Sequence, residues 1–240
     1  MSRAVIVGAS SGIGREIAKA LVANGWTVGV AARRVDRLEE LRGLAPGQVV
    51  VRRIDVTDAD ADVELEELIQ AVGGIDLYLH VSGYGKQNPT LDPAVENTTV
   101  ATNAGGFCRL VGCAFRHFAR QGHGHIAAVT SIAGTRGMGA APSYSATKAF
   151  QNSYLEALAQ QARMRHIDIA FTDIRPGFVD TDFLAGCDFP MMLDPREVAK
   201  AAVKAIGRRR PVLVIDWRWR IVTALWKLIP HSLWRRMRIG

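Results

Sequence analysis

A glycine-rich turn near the N-terminus restricts the fold of this chain more than any other feature. The run Gly8-Ala9-Ser10-Ser11-Gly12-Ile13-Gly14 follows an apolar segment at residues 4–7 and precedes a helical pattern that stops at Asn24-Gly25. This order predicts a strand, a tight turn and a helix. Glycines let the backbone approach a phosphate closely, and a helix start offers unpaired N–H groups and a positive dipole. We therefore expect a phosphate-binding turn, with a simple tight turn as the alternative.

Apolar strand patterns and helical patterns alternate along the remaining chain. Strands are predicted at residues 27–32, 49–54, 75–81, 126–130, 167–174 and 212–215, and helices at 58–72, 93–120, 145–163 and 195–206. Such alternation is typical of an α/β fold with a parallel sheet. We expect one Rossmann-type, doubly wound domain over residues 1–216, with about seven strands flanked by helices.

The end of the second predicted strand indicates which nucleotide cofactor is preferred. In a βαβ fold, an acidic residue there binds the adenosine ribose, whereas arginine accommodates a 2′-phosphate. The sequence Ala32-Arg33-Arg34 has two cations and no acid, which favours NADP(H) over NAD(H). We expect Arg33 to bind the phosphate; Arg34 is the alternative or is only solvated, and Arg15 is a weaker candidate. Asp55-Val56, after the third strand, is expected at the adenine.

A second group of residues has the composition of a hydride-transfer site. Tyr144 and Lys148 are four residues apart on a predicted helix, so both can reach one site. A nearby ammonium favours the phenolate form, which would bring the phenol closer to proton exchange. Ser131 ends the fifth strand and could bind the same substrate oxygen, because ligands of parallel sheets bind at the carboxyl ends of strands.

Taken together, these motifs resemble the short-chain dehydrogenase/reductase family over roughly residues 3–215. The resemblance is carried by the glycine turn, Asp55-Val56, Asn103, Ser131, Tyr144-x-x-x-Lys148 and Pro176-Gly177-x-x-x-Thr181, in this order.

The resemblance implies a role for each matching residue. Tyr144 would be the general acid/base, Lys148 would lower its pKa and hold the nicotinamide ribose, and Ser131 would orient the substrate. Asn103 would keep a water that links Lys148 to solvent. The cofactor would contact the following residues: Gly8, Ser10, Ser11, Gly12, Ile13, Gly14, Arg33, Arg34, Asp55, Val56, Gly83, Tyr144, Lys148, Pro176, Gly177, Val179 and Thr181. It also implies a homodimer or homotetramer.

One segment departs from the family pattern. The family usually has Asn-Asn-Ala-Gly after the fourth strand, where this chain has His80-Val81-Ser82-Gly83. Val81 cannot make the hydrogen bonds by which the second Asn braces the sheet. We expect backbone contacts from Gly83 to survive and His80 to be a buried structural histidine rather than a catalytic one.

The positive charge of the chain is concentrated at its C-terminus. The whole chain carries a formal charge of +7, but residues 207–240 hold eight Arg and one Lys against one Asp, so the remainder carries −1. Because the domain itself has no basic excess, we expect no nucleic-acid partner. The three Cys lack metal-ligand spacing, so we expect no metal site, and a reducing compartment. The opening residues run directly into a strand and no apolar run could span a bilayer, so we expect a cytoplasmic protein without a signal peptide.

Residues 217–240 form a basic, tryptophan-rich amphipathic tail. On a helical wheel, Arg220, Thr223 and Lys227 lie opposite an apolar arc. That arc comprises Trp217, Trp219, Ile221, Val222, Leu225, Trp226, Leu228 and Ile229. Tryptophan with basic residues is typical of an interfacial helix. This composition predicts that the tail binds the anionic inner face of a membrane. The alternatives are that the tail packs on the domain, on the substrate entrance or on a second subunit.

The sequence thus predicts an NADP(H)-dependent oxidoreductase acting on a ketone or secondary alcohol. A substrate loop at about residues 178–193 carries exposed apolar residues, namely Phe183, Leu184, Phe189, Met191 and Met192. Such a loop suggests a lid over an apolar or lipid-like substrate, unless it packs on the core. The competing hypotheses are a catalytically silent NADP(H)-binding regulator and a membrane-surface scaffold.

Overall fold

The computed structural model describes residues 2–184 and 189–238 of the chain and contains one seven-stranded sheet. The strands are β1 Arg3–Val7, β2 Thr27–Ala32, β3 Val49–Arg53, β4 Leu77–His80, β5 His123–Val129, β6 Asp168–Arg175 and β7 Val212–Val214. All neighbouring pairs are parallel, in the order β3-β2-β1-β4-β5-β6-β7. The predicted doubly wound parallel sheet is therefore confirmed.

Helices cover both faces of the sheet. They are α1 Gly12–Ala23, α2 Val35–Leu44, α3 Ala61–Val72, α4 Pro93–Val100, α5 Phe107–Gln121, α6 Pro142–Met164, α7 Pro195–Gly207, α8 Trp217–Leu228 and α9 His231–Trp234. One core cluster joins the sheet to α1, α2 and α7, and the other joins it to α3, α5 and α6. Consecutive strand residues alternate between these layers: Val5 and Val7 face one, Ala4 and Ile6 the other.

The predicted helix at residues 93–120 is not a single regular helix. A π-helical turn, Ala101–Gly106, separates α4 from α5 and contains Asn103. The periodicity of the sequence does not reveal this interruption. Single π-helical turns within α-helices often occur at functional sites.

The strand order places four loop segments at one edge of the sheet. The order reverses between β1 and β4, and ligands of such sheets bind outside the carboxyl ends of strands at this point. The glycine turn follows β1, His80-Val81-Ser82-Gly83 spans the end of β4, Ser131 follows β5, and Pro176-Gly177 follows β6.

Candidate active site

The structure brings Ser131, Tyr144 and Lys148 together. Tyr144 and Lys148 lie one turn apart near the start of α6, and the Lys148 ammonium is 5.7 Å from the centre of the phenol ring. The hydroxyl groups of Ser131 and Tyr144 are hydrogen-bonded. Ser131 Oγ also accepts from the backbone N–H of Ala133 at 3.0 Å, which fixes the serine side chain after β5.

Burial sets the ionisation of the two titratable groups. It raises the pKa of the Tyr144 phenol, and the hydrogen bond to Ser131 opposes this only partly. Burial lowers the pKa of Lys148 to about 8, against the opposing charge of Asp173. The expected lowering of the Tyr144 pKa is therefore not seen, because desolvation of the phenol outweighs the contacts that favour phenolate. A phenol that stays protonated is equipped to donate a proton.

Asn103 holds the segment that carries Gly83. Its side chain accepts from Tyr84 N at 2.8 Å, donates to Tyr84 O at 2.7 Å and donates to Thr147 Oγ1 at 3.2 Å. A Cβ atom on Gly83 would lie 3.5 Å from Asn103 Oδ1 and 3.6 Å from Lys148 Nζ. The side chain of Asn103 therefore joins the segment after β4 to α6 beside Lys148.

Sequence reasoning missed Gln151, which is completely buried beside Lys148. Its Oε1 accepts from Lys148 Nζ at 3.0 Å, and its Nε2 donates to the backbone oxygen of Asn103 at 2.9 Å. The signal was its position three residues after Lys148, since residues at this spacing share one helix face.

His80 and Val81 replace the usual asparagines without opening the sheet. The backbone N–H groups of Val81 and Ser82 both donate to Val7 O, at 2.8 and 3.0 Å. His80 is buried and its Nδ1 is 2.9 Å from the Tyr78 hydroxyl. Burial and the nearby Lys148 lower the pKa of His80 to about 3, so the imidazole is neutral. These backbone hydrogen bonds join the end of β4 to β1, and the buried His80 ring packs against Phe107 with ring centres 4.9 Å apart.

The glycine turn is tightly packed and needs glycine at several positions. Gly8 and Gly12 have φ angles of +95° and +52°, and Cβ atoms on Gly8 and Gly14 would lie 2.4 and 2.2 Å from backbone atoms. The α1 N-cap, Ser11, makes no capping hydrogen bond with its side chain, and the first turn contains no acidic residue. Its N–H groups, including that of Ile13, are therefore available to an anion.

The two arginines after β2 have different surroundings. Arg34 Nη2 donates to Ser11 Oγ at 2.8 Å and to Ser10 Oγ at 3.2 Å, so it lies against the glycine turn. Arg33 is largely exposed, with Nη1 3.9 Å from Asp55 Oδ2. Arg15 pairs with Glu40 and lies away from this position. Arg34 Nη1 also lies 3.9 Å from Asp182 Oδ2. Both arginines therefore lie near a carboxylate, and the expectation that Arg33 binds the phosphate stays a prediction.

Asp55 and Val56, the residues expected to contact the adenine, follow β3. Asp55 Oδ1 accepts from the N–H and hydroxyl of Thr57 at 3.0 and 2.8 Å. Burial raises the pKa of Asp55, but these hydrogen bonds and nearby arginines together lower it below its ordinary value. Val56 is buried, and its backbone oxygen would be 2.7 Å from a Cβ atom on Gly106 in the π-helical turn.

The segment after β6 lies between the catalytic group and the glycine turn. Pro176 O accepts from Ile132 N at 3.1 Å, and Thr181 Cγ2 would be 3.0 Å from a Cβ atom on Gly12. Val179 is buried and bridges to Leu193. This segment therefore connects the residues expected at the nicotinamide with those expected at the pyrophosphate.

Three aromatic rings border this segment. Phe178 and Phe189 are stacked, with ring centres 4.2 Å apart, and Trp219 meets Phe178 edge-on at 5.5 Å. Leu184, Met191 and Met192 are partly buried. The side chain of Phe183 and residue Cys187 lie outside the described residues. The aromatic cluster consists of Phe178, Phe189 and Trp219, and it makes the border of the substrate loop apolar.

The C-terminal tail packs on the domain beside the site. Arg136 donates to the backbone oxygens of Trp226, Lys227 and Ile229 at 3.1, 3.0 and 2.7 Å. Trp234 Nε1 donates to Gly137 O at 2.7 Å. The tail is thus held by the loop that follows Ser131, which corresponds to one of the alternatives above, packing on the domain.

The helical wheel was wrong about Thr223, whereas Arg220 and Lys227 are exposed as expected. Thr223, expected on the polar outer arc, is buried together with Trp219. Its hydroxyl donates to Trp219 O at 2.8 Å, which satisfies the polar group inside the contact. Arg218, at the start of α8, pairs with Asp216 at 2.6 Å.

The described helices include none that is both long enough and apolar enough to cross a bilayer. Among the same residues, no three His, Cys, Asp or Glu side chains are grouped closely enough to hold a metal ion.

Comparison with known proteins agrees with this arrangement. The chain is 31% identical to an uncharacterized oxidoreductase of Myxococcus xanthus, over 98% of this chain and 97% of that protein. It resembles an alcohol dehydrogenase of the archaeon Thermococcus sibiricus complexed with 5-hydroxy-NADP, with 27% identity, a TM-score of 0.78 and coverage of 90% and 96%. The fold also matches a 3-ketoacyl-(acyl-carrier-protein) reductase of Brucella melitensis complexed with NADH, with 23% identity, a TM-score of 0.81 and the same coverage.

The family model for short chain dehydrogenases matches residues 2–188, which include the glycine turn, Asn103, Ser131, Tyr144 and Lys148. From this match and the geometry above, the chain belongs to the short-chain dehydrogenase/reductase family.

Proposed function

We propose that this oxidoreductase transfers a hydride between NADP(H) and an apolar ketone or secondary alcohol. The observation that carries the proposal is the hydrogen-bonded Ser131–Tyr144 pair beside Lys148, at the edge of the sheet that also bears the glycine turn. A nicotinamide cofactor is further supported by the ligands of the similar solved structures, one with NADH and one with an NADP derivative.

The glycine turn and the segment from Pro176 to Thr181 would hold a nicotinamide cofactor, which would supply or accept the hydride. Ser131 orients the substrate oxygen, and Tyr144 donates a proton to it during reduction. Because burial raises the Tyr144 pKa, the phenol stays protonated at neutral pH, which supports the reductive direction. Lys148 would provide a positive charge beside the developing alkoxide, and by the family resemblance it would hold the ribose hydroxyls.

The preference for NADP(H) rests on the arginines after β2. Arg34 is anchored to Ser10 and Ser11, and no acidic residue ends this strand. A 2′-phosphate beside Arg34 would receive bidentate, charge-assisted hydrogen bonds. An apolar substrate is supported by the aromatic cluster beside Pro176-Gly177.

The test is consumption of NADPH and NADH with carbonyl compounds graded from small ketones to long-chain and polycyclic ones. We expect turnover with NADPH, highest for apolar substrates, and a loss of about 10²–10⁴-fold in Tyr144→Phe. NADPH binding without turnover on any compound, in the presence or absence of anionic vesicles, would instead favour the catalytically silent regulator.

A second, binding function is supported by the outer face of α8. The apolar side chains that point away from the domain are strongly exposed: Trp217 62%, Ile221 52%, Leu225 56% and Leu228 78%. In the described part of the chain, Arg220, Lys227, Arg235, Arg236 and Arg238 form no salt bridge. An exposed apolar stripe flanked by cations that form no salt bridge suits an anionic lipid surface.

Sedimentation with vesicles tests this binding function. We expect the protein to bind phosphatidylglycerol vesicles but not phosphatidylcholine vesicles, and the double variant Ile221→Glu/Leu225→Glu to abolish binding. Leu44→Glu is the matched control, because Leu44 is 68% exposed on α2, away from the tail. Absence of binding, with a dimer that the double variant dissociates, would show that a second copy covers this face. Oligomeric state and a cytoplasmic location remain predictions.

A further inference from the structure

The environment of Lys148 contains a buried amide whose two ends make different contacts. Gln151 accepts from Lys148 Nζ through Oε1 and donates to Asn103 O through Nε2, at 3.0 and 2.9 Å. It is 0% exposed, and Lys148 is 4% exposed. The oxygen and the NH2 group of this amide are therefore both hydrogen-bonded in one orientation only, since an ammonium cannot accept and a carbonyl cannot donate.

The Asn103 oxygen that accepts from Gln151 is on the backbone, so this contact is separate from those of the Asn103 side chain. The side chain of Asn103 is occupied by Tyr84 and Thr147. The backbone of Asn103 lies in the π-helical turn rather than in a regular α-helix. Gln151 thus connects α6 to this turn and holds the ammonium between the two elements.

We propose that Gln151 is a positioning residue that fixes the Lys148 ammonium and the Asn103 carbonyl in one geometry. This inference rests on the proposed function. The family resemblance led us to expect a water between Lys148 and solvent at Asn103, whereas here a side-chain amide joins the same two residues. An amide accepts and donates hydrogen bonds at fixed atoms but does not pass a proton between them as water does. Gln151 therefore sets the position and charge of Lys148 rather than conducting protons.

Besides Gln151, four groups surround the Lys148 ammonium and influence its protonation. The second acceptor of Lys148 is Val129 O, at 3.3 Å. Asp173 on β6 favours the charged form, whereas Lys148 in turn depresses the pKa of neutral His80 at the end of β4. Tyr144 faces it from α6. Loss of one of two close acceptors in such a buried site should disfavour the ammonium.

The decisive variants are Gln151→Leu and Gln151→Glu. Leucine removes the acceptor, so the ionisation of Lys148 should move to lower pH, with about a tenfold loss in kcat at neutral pH. Glutamate keeps the size but adds a negative charge, so the same ionisation should move to higher pH. Gln160→Leu and Gln160→Glu are matched controls, because Gln160 lies exposed on the same helix.

Two readouts separate this proposal from the proposed function. The first is the pH profile of kcat for carbonyl reduction, and the second is the pH dependence of NADPH affinity, which needs no turnover. Opposite shifts for the two Gln151 variants, with unmoved Gln160 controls, would support positioning. Shifts of the same sign, or none beyond the controls, would reduce Gln151 to a packing residue. If Gln151→Leu does not fold, the isosteric Gln151→Glu still tests the proposal, because it should move the ionisation of Lys148 to higher pH. If the wild-type protein turns over no carbonyl, the proposed function fails while the affinity profile still tests Gln151.

Discussion

Trp219 of the tail lies directly over Gly177, at the segment expected to hold the nicotinamide. A Cβ atom on Gly177 would be 2.2 Å from Trp219 Nε1, which is closer than any real contact allows. In the described part of the chain, this buried indole nitrogen has no hydrogen-bond partner. The absence of a side chain at Gly177 is thus what allows the tail to close on the site.

Gly177→Ala should therefore displace Trp219 and loosen the tail. Overpacking costs about 1–3 kcal/mol, so we expect the melting temperature to fall by about 5 °C and the KM for NADPH to rise. Gly139→Ala serves as control, since a Cβ atom there meets nothing within 4 Å. Equal melting temperatures for the two variants would show that the tail does not depend on this contact.

Arg136 fastens the end of α8 through three backbone carbonyls, and its loss should release the tail. Hydrogen bonds from a charged donor contribute about 1.5–3 kcal/mol, so we expect Arg136→Ala to lower the free energy of unfolding by about 2 kcal/mol. Limited proteolysis should then cleave within residues 217–238 faster than in wild type. Arg163→Ala is the control, because Arg163 is exposed on α6. Unchanged cleavage rates would exclude the clamp.

Lys148 should make the stability of the protein depend on pH in the alkaline range. Its pKa falls from 10.5 to about 8 on folding, so the unfolded chain binds more protons between these values. The contribution of Lys148 to the free energy of unfolding must then increase as pH rises from about 8 to about 10.5, by at most about 3 kcal/mol.

This dependence can be isolated by urea unfolding of wild type and Lys148→Met at both ends of the range. The difference between the free energies of unfolding of the two proteins cancels the contributions of all titratable groups that they share. We expect the wild type to gain stability relative to the variant as pH rises. A constant difference would mean that Lys148 is not desolvated in the folded protein.

Arg34, rather than Arg33, should carry most of the selectivity for NADPH. Arg34→Ala is expected to raise the KM for NADPH about tenfold or more and to leave that for NADH nearly unchanged. Arg33→Ala should affect both cofactors similarly, because Arg33 lies beside Asp55. Arg37→Ala is the control, as Arg37 pairs with Glu40 on α2. The opposite ranking of the two variants would favour Arg33 as the phosphate ligand.

Local patterns in the sequence were sufficient to predict most of the fold. The apolar patterns and the turn residues between them identified all seven strands, and the glycine turn marked the end of the first one. These signals can be read from the sequence because they depend only on neighbouring residues. Helix α2 was not predicted, and the π-helical turn at Asn103 was hidden inside a continuous helical pattern. Neither feature changes the local periodicity enough to be recognised.

The candidate site divides in the same way. The sequence alone determined that Tyr144 and Lys148 share a helix face and that Ser131 ends a strand, because each statement follows from helix period or chain order. Only the tertiary structure decided which arginine reaches Ser10 and Ser11, which face of α8 is buried, and that Gln151 joins Lys148 to Asn103. The physical reason is that these contacts join segments far apart in the chain, so they depend on how packed elements orient their side chains.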